Sequence, residues 1–417
     1  MKIKPLIIIW LLLPLNLFGL NWRTSGLYRS QWREYRSSLF NHQNLAVEQL
    51  DLSQTNHYFS QYFSTHTRLF SFDWQLDVLG TVTYEGDWDS NLRIKQFYLQ
   101  RGFFQNLDIL VGRALLRWGT GYAFNPTDII APPKELSDPD NTEKRSSGND
   151  LIKLEYFGES YSLALCYLNQ LDFNKKMTSD NSKWAVRFYK NFAGIDLSLV
   201  SLAQPHQTPV WGGNLAYVIG ERLEIHGEIT TQKGSFQPYH RALVDVIQFY
   251  RSEPFQPLKQ NSTQSFNQYL IGFQYTLPGN ISWILEYYHR DQGYSSAEWQ
   301  RMIEHTQFLV DNLQTPYQEL AQGNLLWNLN VFSPKGAQRD YLMNYLNLPL
   351  LNSVELKTTT LLNLSDFSLV EIGEIDFTVK KYFTLYGRSI IFTGDNESEF
   401  GAFFQSFSIE GGLKFNL

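Results

Sequence analysis

Phe403-Phe404-Gln405-Ser406-Phe407-Ser408-Ile409-Glu410-Gly411-Gly412-Leu413-Lys414-Phe415-Asn416-Leu417 is the stretch that decides the fold. Phe403, Phe407, Ile409, Leu413, Phe415 and Leu417 share one parity; Phe404, Ser406, Ser408, Glu410, Lys414 and Asn416 share the other. Successive side chains of a strand point to opposite faces, so this is a strand with an apolar side and a largely polar side. The same period of two recurs upstream as far as about Asn44. Leu223, Ile225, Gly227 and Ile229 alternate with Glu224, His226, Glu228 and Thr230. Tyr269, Ile271, Phe273 and Tyr275 alternate with Gln268, Gly272, Gln274 and Thr276. Such strands build either a soluble sandwich, polar side out, or a membrane barrel, polar side in.

The connections separate these two. Tight ones are expected near Gln105-Asn106, Gly158-Glu159, Asn191 to Gly194, Gly220-Glu221, Pro278 to Asn280, Leu348 to Leu351 and Lys380-Lys381. Between them lie long ones: 118–149, 171–182, 204–210, 232–264, 292–337 and 393–401. Nearly every hairpin is tight at one end and elaborated at the other (Ser365-Asp366 is the exception). Outer-membrane barrels have this asymmetry, with short periplasmic turns and long external loops. The expected fold is therefore all-β: a transmembrane, antiparallel, up-and-down β-barrel of about 18 strands, with about 16 as the alternative, since such barrels have even strand numbers. Its first two strands are placed at 44–52 and 57–71. Side chains cannot fill a ring this wide, so a lumen is expected. The 403–417 strand also resembles the terminal strand by which bacterial outer-membrane proteins are recognised for insertion. That implies the outer-membrane barrel assembly machinery as a partner, although Leu417 stands where an aromatic residue is usual.

Composition agrees with a barrel wall. Among 417 residues 16% are aromatic and 18% charged, and a mean hydropathy of −0.31 is too polar for a bundle of membrane helices. A net charge of −6 argues against a nucleic-acid-binding surface, which would be basic. Cys166 is the only cysteine, so no internal disulfide can form. Lys2 and Lys4 precede an apolar run over 6–13, then Pro14 and a second short run to Leu20. That order is a charged n-region followed by a secretory h-region. Residues 1–20 are read as a signal peptide, 21–43 as an N-terminal periplasmic segment and 44–417 as the barrel. No later apolar run is long enough to span a bilayer as a helix.

Two long loops are expected to hold short helices. In 292–337, Ser295 and Glu298 have capping-box spacing, and Trp299, Met302, Ile303, Phe308, Val310 and Leu313 form one apolar face. In 232–264, Ala242, Leu243, Val246, Ile247 and Tyr250 do the same. These helices either cover the pore as lids or pack together and shield the rim.

The most distinctive motif is Gly112-Arg113 followed by Arg117-Trp118-Gly119-Thr120-Gly121-Tyr122-Ala123-Phe124-Asn125-Pro126-Thr127-Asp128, which leaves a strand and opens the loop 118–149. It resembles a porin-like family of largely uncharacterised bacterial outer-membrane proteins, whose shared pattern is a G-R strand leading into W-G-x-G-Y-x-x-N-P-x-D. The motif covers 112–128, and the strand-and-loop layout extends the resemblance over most of the chain. The resemblance implies a barrel with a loop reaching toward the lumen, and no particular substrate. Read physically, Gly119 and Gly121 allow backbone angles other residues resist. Asn125-Pro126 favours a turn. Trp118 and Tyr122 can sit in the aromatic belt or anchor the loop to the wall.

The loop also carries Asp128, Glu135, Asp138, Asp140 and Glu143, and Arg113, Lys153 and Arg187 are candidate wall cations. Acids facing cations across a pore set up a transverse field. Arg113 and Arg117 share parity with Ile109 and Val111, so pointing them inward requires a flip near Gly112. Glu224, His226 and Glu228 are expected to line the lumen. Asp87, Asp89 and Asn91 have the spacing of a partial calcium loop but lack its central Gly and distal Glu, so no metal or cofactor is assigned. There is no G-x-S-x-G, H-E-x-x-H or phosphate loop. The expected function is a passive channel in outer-membrane lipid for small polar or anionic solutes, narrowed by loop 118–149 and compatible with a homo-oligomer. Three rivals remain. One is an embedded hydrolase, for which His226 and His289 are the histidines to watch. Another is a plugged structural or adhesin barrel. The third is a polysaccharide exporter or an importer of apolar molecules.

Overall fold

In the computed structural model of the chain, residues 22–69, 71–132, 134, 147–169, 182–245, 247–333 and 336–416 are described. The signal-peptide assignment for 1–20 lies outside them, as do Asp138, Asp140 and Glu143. The strands are β1 (Trp22–Tyr35), β2 (Thr55–Leu69), β3 (Phe72–Tyr84), β4 (Trp88–Phe103), β5 (Leu107–Ala114), β6 (Asn149–Phe157), β7 (Tyr161–Asn169), β8 (Ser182–Phe192), β9 (Ile195–Ala203), β10 (Val210–Ile219), β11 (Leu223–Lys233), β12 (Tyr239–His240), β13 (Phe255–Gln256), β14 (Ser265–Leu277), β15 (Ile281–Arg290), β16 (Asp340–Leu351), β17 (Val354–Asn363), β18 (Leu369–Lys380), β19 (Phe383–Thr393) and β20 (Gln405–Asn416). β12 and β13 form a two-stranded ribbon within a loop; the other strands make one 18-stranded antiparallel sheet. β1 closes the ring, pairing eleven of its residues with β2 and eleven with β20. Closure matters because an open edge in lipid leaves backbone groups unsatisfied, at several kcal/mol each.

Eighteen is the expected strand number, but its membership differs. Residues 22–35 lie inside the segment read as periplasmic and are instead the closing strand. Its outward parity holds Thr24, Gly26, Tyr28, Ser30, Trp32 and Glu34, too few apolar residues to show the period of two. Conversely, 44–52 is no strand: Leu45–Gln49 form a short helix, in keeping with the helix propensity of Leu, Ala, Glu and Gln. β16 runs on to Leu351, so the turn expected at 348–351 falls at Asn352-Ser353. Asp89 and Asn91 lie within β4, in extended backbone and not in a metal-binding loop. At the tight end, Gly220 and Gly279 adopt φ of +64° and +83°, which side chains resist.

The two faces of the sheet identify its solvent. Ile225, Ile229, Leu199 and Ile271 are exposed on the outer face, Ile271 by 65%. The opposite parity of the same sheet carries His226, Glu228 and Glu286, all buried. Apolar out and polar in is the reverse of a soluble protein. Against a Cys166→Ala background, Ile225→Cys and Ile271→Cys should label with bilayer-soluble thiol reagents. Glu224→Cys and Gln274→Cys should label with small aqueous ones. Equal aqueous labelling of both pairs would point to a soluble sheet.

At the long-loop end, four connections share one core. Phe40, Tyr239, Leu243, Tyr294, Trp299, Met302, Val331 and Ala402 pack together across loops distant in sequence. The helix Ser296–Asp311 starts with the expected capping box at Ser295 and Glu298 and buries Trp299, Met302 and Ile303. A second helix, Gln318–Asn328, follows it. In the 234–264 loop the expected helix is reduced to one 3-10 turn, Arg241–Leu243, beside the β12–β13 ribbon; Val246 lies outside the described residues.

Candidate functional site

Beyond Ala114 the chain leaves β5 and folds into the barrel, where residues 117–132 and Lys134 lie against the inner wall. Two wall carboxylates hold it there. Glu228, on the inward face of β11, accepts the Gly121 N–H at 2.8 Å, the Thr120 N–H, and both the N–H (2.8 Å) and hydroxyl (2.7 Å) of Thr127. Glu286, on the inward face of β15, accepts from Tyr122 and, at 3.0 Å, from Ala123. Asp128 closes the loop on itself, accepting the backbone N–H groups of Trp118 and Gly119 and the Arg117 guanidinium at 2.9 Å. Asn214 of β10 donates to Trp118 O (2.7 Å) and Thr127 Oγ1 (2.8 Å), and Lys134 donates to the carbonyls of Gly121 and Tyr122.

The energetics make wall and loop interdependent. Burying a carboxylate costs several kcal/mol unless hydrogen bonds offset it. Glu228 and Glu286 are 4% and 0% exposed, so the loop's N–H groups supply what water would. In turn, the loop's backbone donors would be buried without partners but for these acids. Apolar contacts finish the seat. Trp118 and Ile130 pack on Leu110, Leu151, Leu168 and Val200. Phe124 stacks on Tyr288 at 4.2 Å, and Tyr122 meets Tyr345 at 4.7 Å.

The motif glycines are needed for space and not for φ. A Cβ on Gly121 would sit 2.0 Å from the Phe124 carbonyl oxygen, and one on Gly119 would sit 2.9 Å from Glu228 Oε1. Gly112 is different: its φ is +133°, and a Cβ would meet Phe97 O at 2.3 Å. Asn125 donates to Gly121 O, tightening the turn that Pro126 follows.

The remaining expected residues separate into groups. Arg113 keeps its outward parity: it stands opposite Phe97 and Asp150 in the ladders and pairs with Asp150 at 2.8 Å, so it is no pore cation. Arg117 is inside but tied to Asp128. Lys153 and Arg187 share the inward face, Lys153 paired with Glu155 at 2.6 Å and Arg187 hydrogen-bonded to Ser198. Glu224 and His226 are also inward; His226 lies 3.1 Å from Glu286 and 3.7 Å from Glu224. Thus His226 and Glu228 are wall groups under the loop and not water-lined pore residues. His289 has the opposite parity and lies between Asp340 (2.7 Å) and Asp291 (3.1 Å), so the two histidines watched for a hydrolase are on different faces. Glu286 and Asn214 were missed by sequence reasoning. Glu286 had a signal: it is the acid between Ile284 and Tyr288 on an inward parity that is otherwise apolar there.

Above the loop, two imidazoles lie inside the shared loop core. His240 and His305 are fully buried with centroids 4.7 Å apart. His240 Nδ1 accepts the Ala242 N–H, while His305 faces Gln248 O and Asn328. Burial, and secondly the neighbouring His305, push His240 down to about 3; burial also lowers His305. A depressed folded-state value means that the unfolded loops bind the proton first. The part of loop stability linked to His240 is therefore complete above about pH 6.5 and declines as pH falls toward 3, by roughly one kcal/mol per pH unit, and His305 acts in the same direction. Trp299 fluorescence should shift red over that range, and His240→Phe should blunt the shift. An unchanged spectrum down to pH 4 would contradict this.

No family model matches the chain, and no curated protein matches it. Solved structures match in fold. OccAB1 of Acinetobacter baumannii superposes with a TM-score of 0.57 over 96% of this chain and 97% of its own, at 9% identity. OccK11 of Pseudomonas aeruginosa gives 0.53 over 95% and 96%, at 12% identity. Wzi of Escherichia coli, described as a carbohydrate-binding β-barrel involved in group 1 capsule assembly, gives 0.51 over 98% and 87%, at 10% identity. At such identities the likeness is one of fold: a closed barrel spanning nearly the whole of both chains.

Proposed function

We propose that the protein is a passive channel of the bacterial outer membrane, admitting small polar solutes through a lumen narrowed by the loop after β5. One observation carries this reading: a closed 18-strand wall, apolar outside and polar inside, into which a loop closed on itself by Asp128 is drawn and fastened by Glu228 and Glu286. No part of that arrangement presents an activated nucleophile, so no bond chemistry is assigned to it. The G-R…W-G-x-G-Y-x-x-N-P-x-D pattern supports placing the chain with the porin-like family. The apolar band faces lipid; insertion by the barrel assembly machinery and self-association belong to the same reading.

Planar-bilayer recording tests it. The purified protein should give discrete conductance steps. Neutralising Asp138, Asp140 and Glu143 together should shift selectivity toward anions, and Arg187→Gln should shift it toward cations. Both shifts should fade at 1 M salt, where the screening length is about 3 Å. Absence of conductance, with or without residues 132–148, would favour a plugged barrel built around the shared loop core.

A further inference from the structure

Two cavities at the long-loop end adjoin one another and together form the passage to the fastened loop. The upper encloses about 640 Å³ between the 204–209 connection, the 234–264 loop and residues 330–333. The lower encloses about 220 Å³ and rests on residues 123–128. Gln232 and Gln292 line both, so the two adjoin. The wall is rich in amides: Gln207, Gln237 and Asn330 above, Gln268 below, Gln232 and Gln292 between. Aromatic rings accompany them, Phe236 and Phe255 above, the stacked pair Phe124 and Tyr288 below.

Among the described residues the cations bordering this passage are committed to the protein itself, and Glu253, an exposed acid, borders only the upper cavity. Arg117 is held by Asp128 and Pro132 O, and Lys134 by the carbonyls of Gly121 and Tyr122. Arg290, 2% exposed, donates to Gln338 O and Gly336 O. An anionic solute entering here would surrender water without meeting a free cation among the described residues, and a cation would leave Glu253 behind in the upper cavity; both are costly. An apolar solute would desolvate the amides for nothing in return. A polyhydroxylated neutral solute loses neither. Each amide offers both a donor and an acceptor, matching hydroxyls that do the same. Aromatic faces suit the C–H side of a pyranose.

We propose that this passage binds a neutral saccharide on its way to the constriction, an inference that rests on the channel reading above. Within the lower cavity, Gln268 already accepts the Tyr288 hydroxyl at 2.8 Å and donates to Gln292 at 3.4 Å, so the amides are oriented before a solute arrives. Pre-orientation lowers the cost of ordering side chains on binding.

The test uses the full-length protein in planar bilayers with maltotriose or lactose added to the side bearing the long loops. Either sugar should reduce the ion current in a saturable manner, whereas polyethylene glycol of similar mass should not. Gln232→Leu with Gln292→Leu should raise the half-blocking concentration about tenfold, the loss of one or two net hydrogen bonds. Heat-resistant migration on gels confirms that this variant has assembled. Ion current that both sugars leave unblocked, or block no better than the polymer, overturns the saccharide inference and leaves the channel reading standing. If there is no ion current, the channel reading fails, and calorimetric titration of the detergent-purified barrel with maltotriose decides the site. Saturable heat that weakens in the double variant supports it, and no heat overturns it.

Discussion

Replacing Glu228 and Glu286 together by alanine should free the loop and raise single-channel conductance severalfold while the barrel still assembles. Removing Glu228 orphans the N–H groups of Thr120, Gly121 and Thr127; removing Glu286 orphans those of Tyr122 and Ala123. Each buried donor left without a partner costs about 1–3 kcal/mol. Summed over these five donors, the loss offsets much of what the remaining contacts of Trp118, Tyr122, Phe124, Ile130 and Asn214 supply, so the loop should spend far more of its time away from the wall. The strand ladders of β11 and β15 do not involve these side chains, so assembly should be spared. Glu286→Gln should be intermediate, because one amide oxygen still accepts but the NH2 group confronts backbone donors. Unchanged conductance in an assembled double-alanine variant would refute the fastening.

The second large effect lies at the seam. Deleting residues 22–35 should abolish assembled protein. Among the described residues β1 alone joins β2 to β20, and its loss exposes two strand edges to lipid. If 22–35 were instead a periplasmic extension, the truncated protein would still reach the membrane and show heat-modifiable migration. Appearance of such a species in normal amount would therefore contradict the closure of the sheet by β1. Deleting 405–417 should fail in the same way, since the same seam is lost from its other side.

Much of the wall was legible. β11 and β14 read directly, because Ile225, Ile229, Ile271 and Phe273 face lipid and make the period of two plain. β1 did not read, because small and polar residues occupy most of its outward parity, and pairing on both sides holds it in place instead. Of the site, the motif 117–128 was visible as a loop entrance, but its glycines were credited with unusual angles when crowding is the reason. Arg113 was read as a candidate pore cation, a reading that required a flip near Gly112. The ladder shows none: Arg113 stays opposite Phe97 and Asp150.

Local order determined which residues share a face, where tight and long connections alternate, and that one face must meet an apolar solvent. These follow from strand geometry and side-chain polarity, which act over a few residues. Which acids meet which donors was decided only by the tertiary structure. Glu228 and Glu286 lie 107 and 163 positions from Gly121 and Ala123, and nothing in the intervening chain encodes that separation. They meet because closing the sheet sets β11 and β15 beside the path of the loop. A buried carboxylate and a run of unpaired N–H groups are then each costly alone, and each relieves the other.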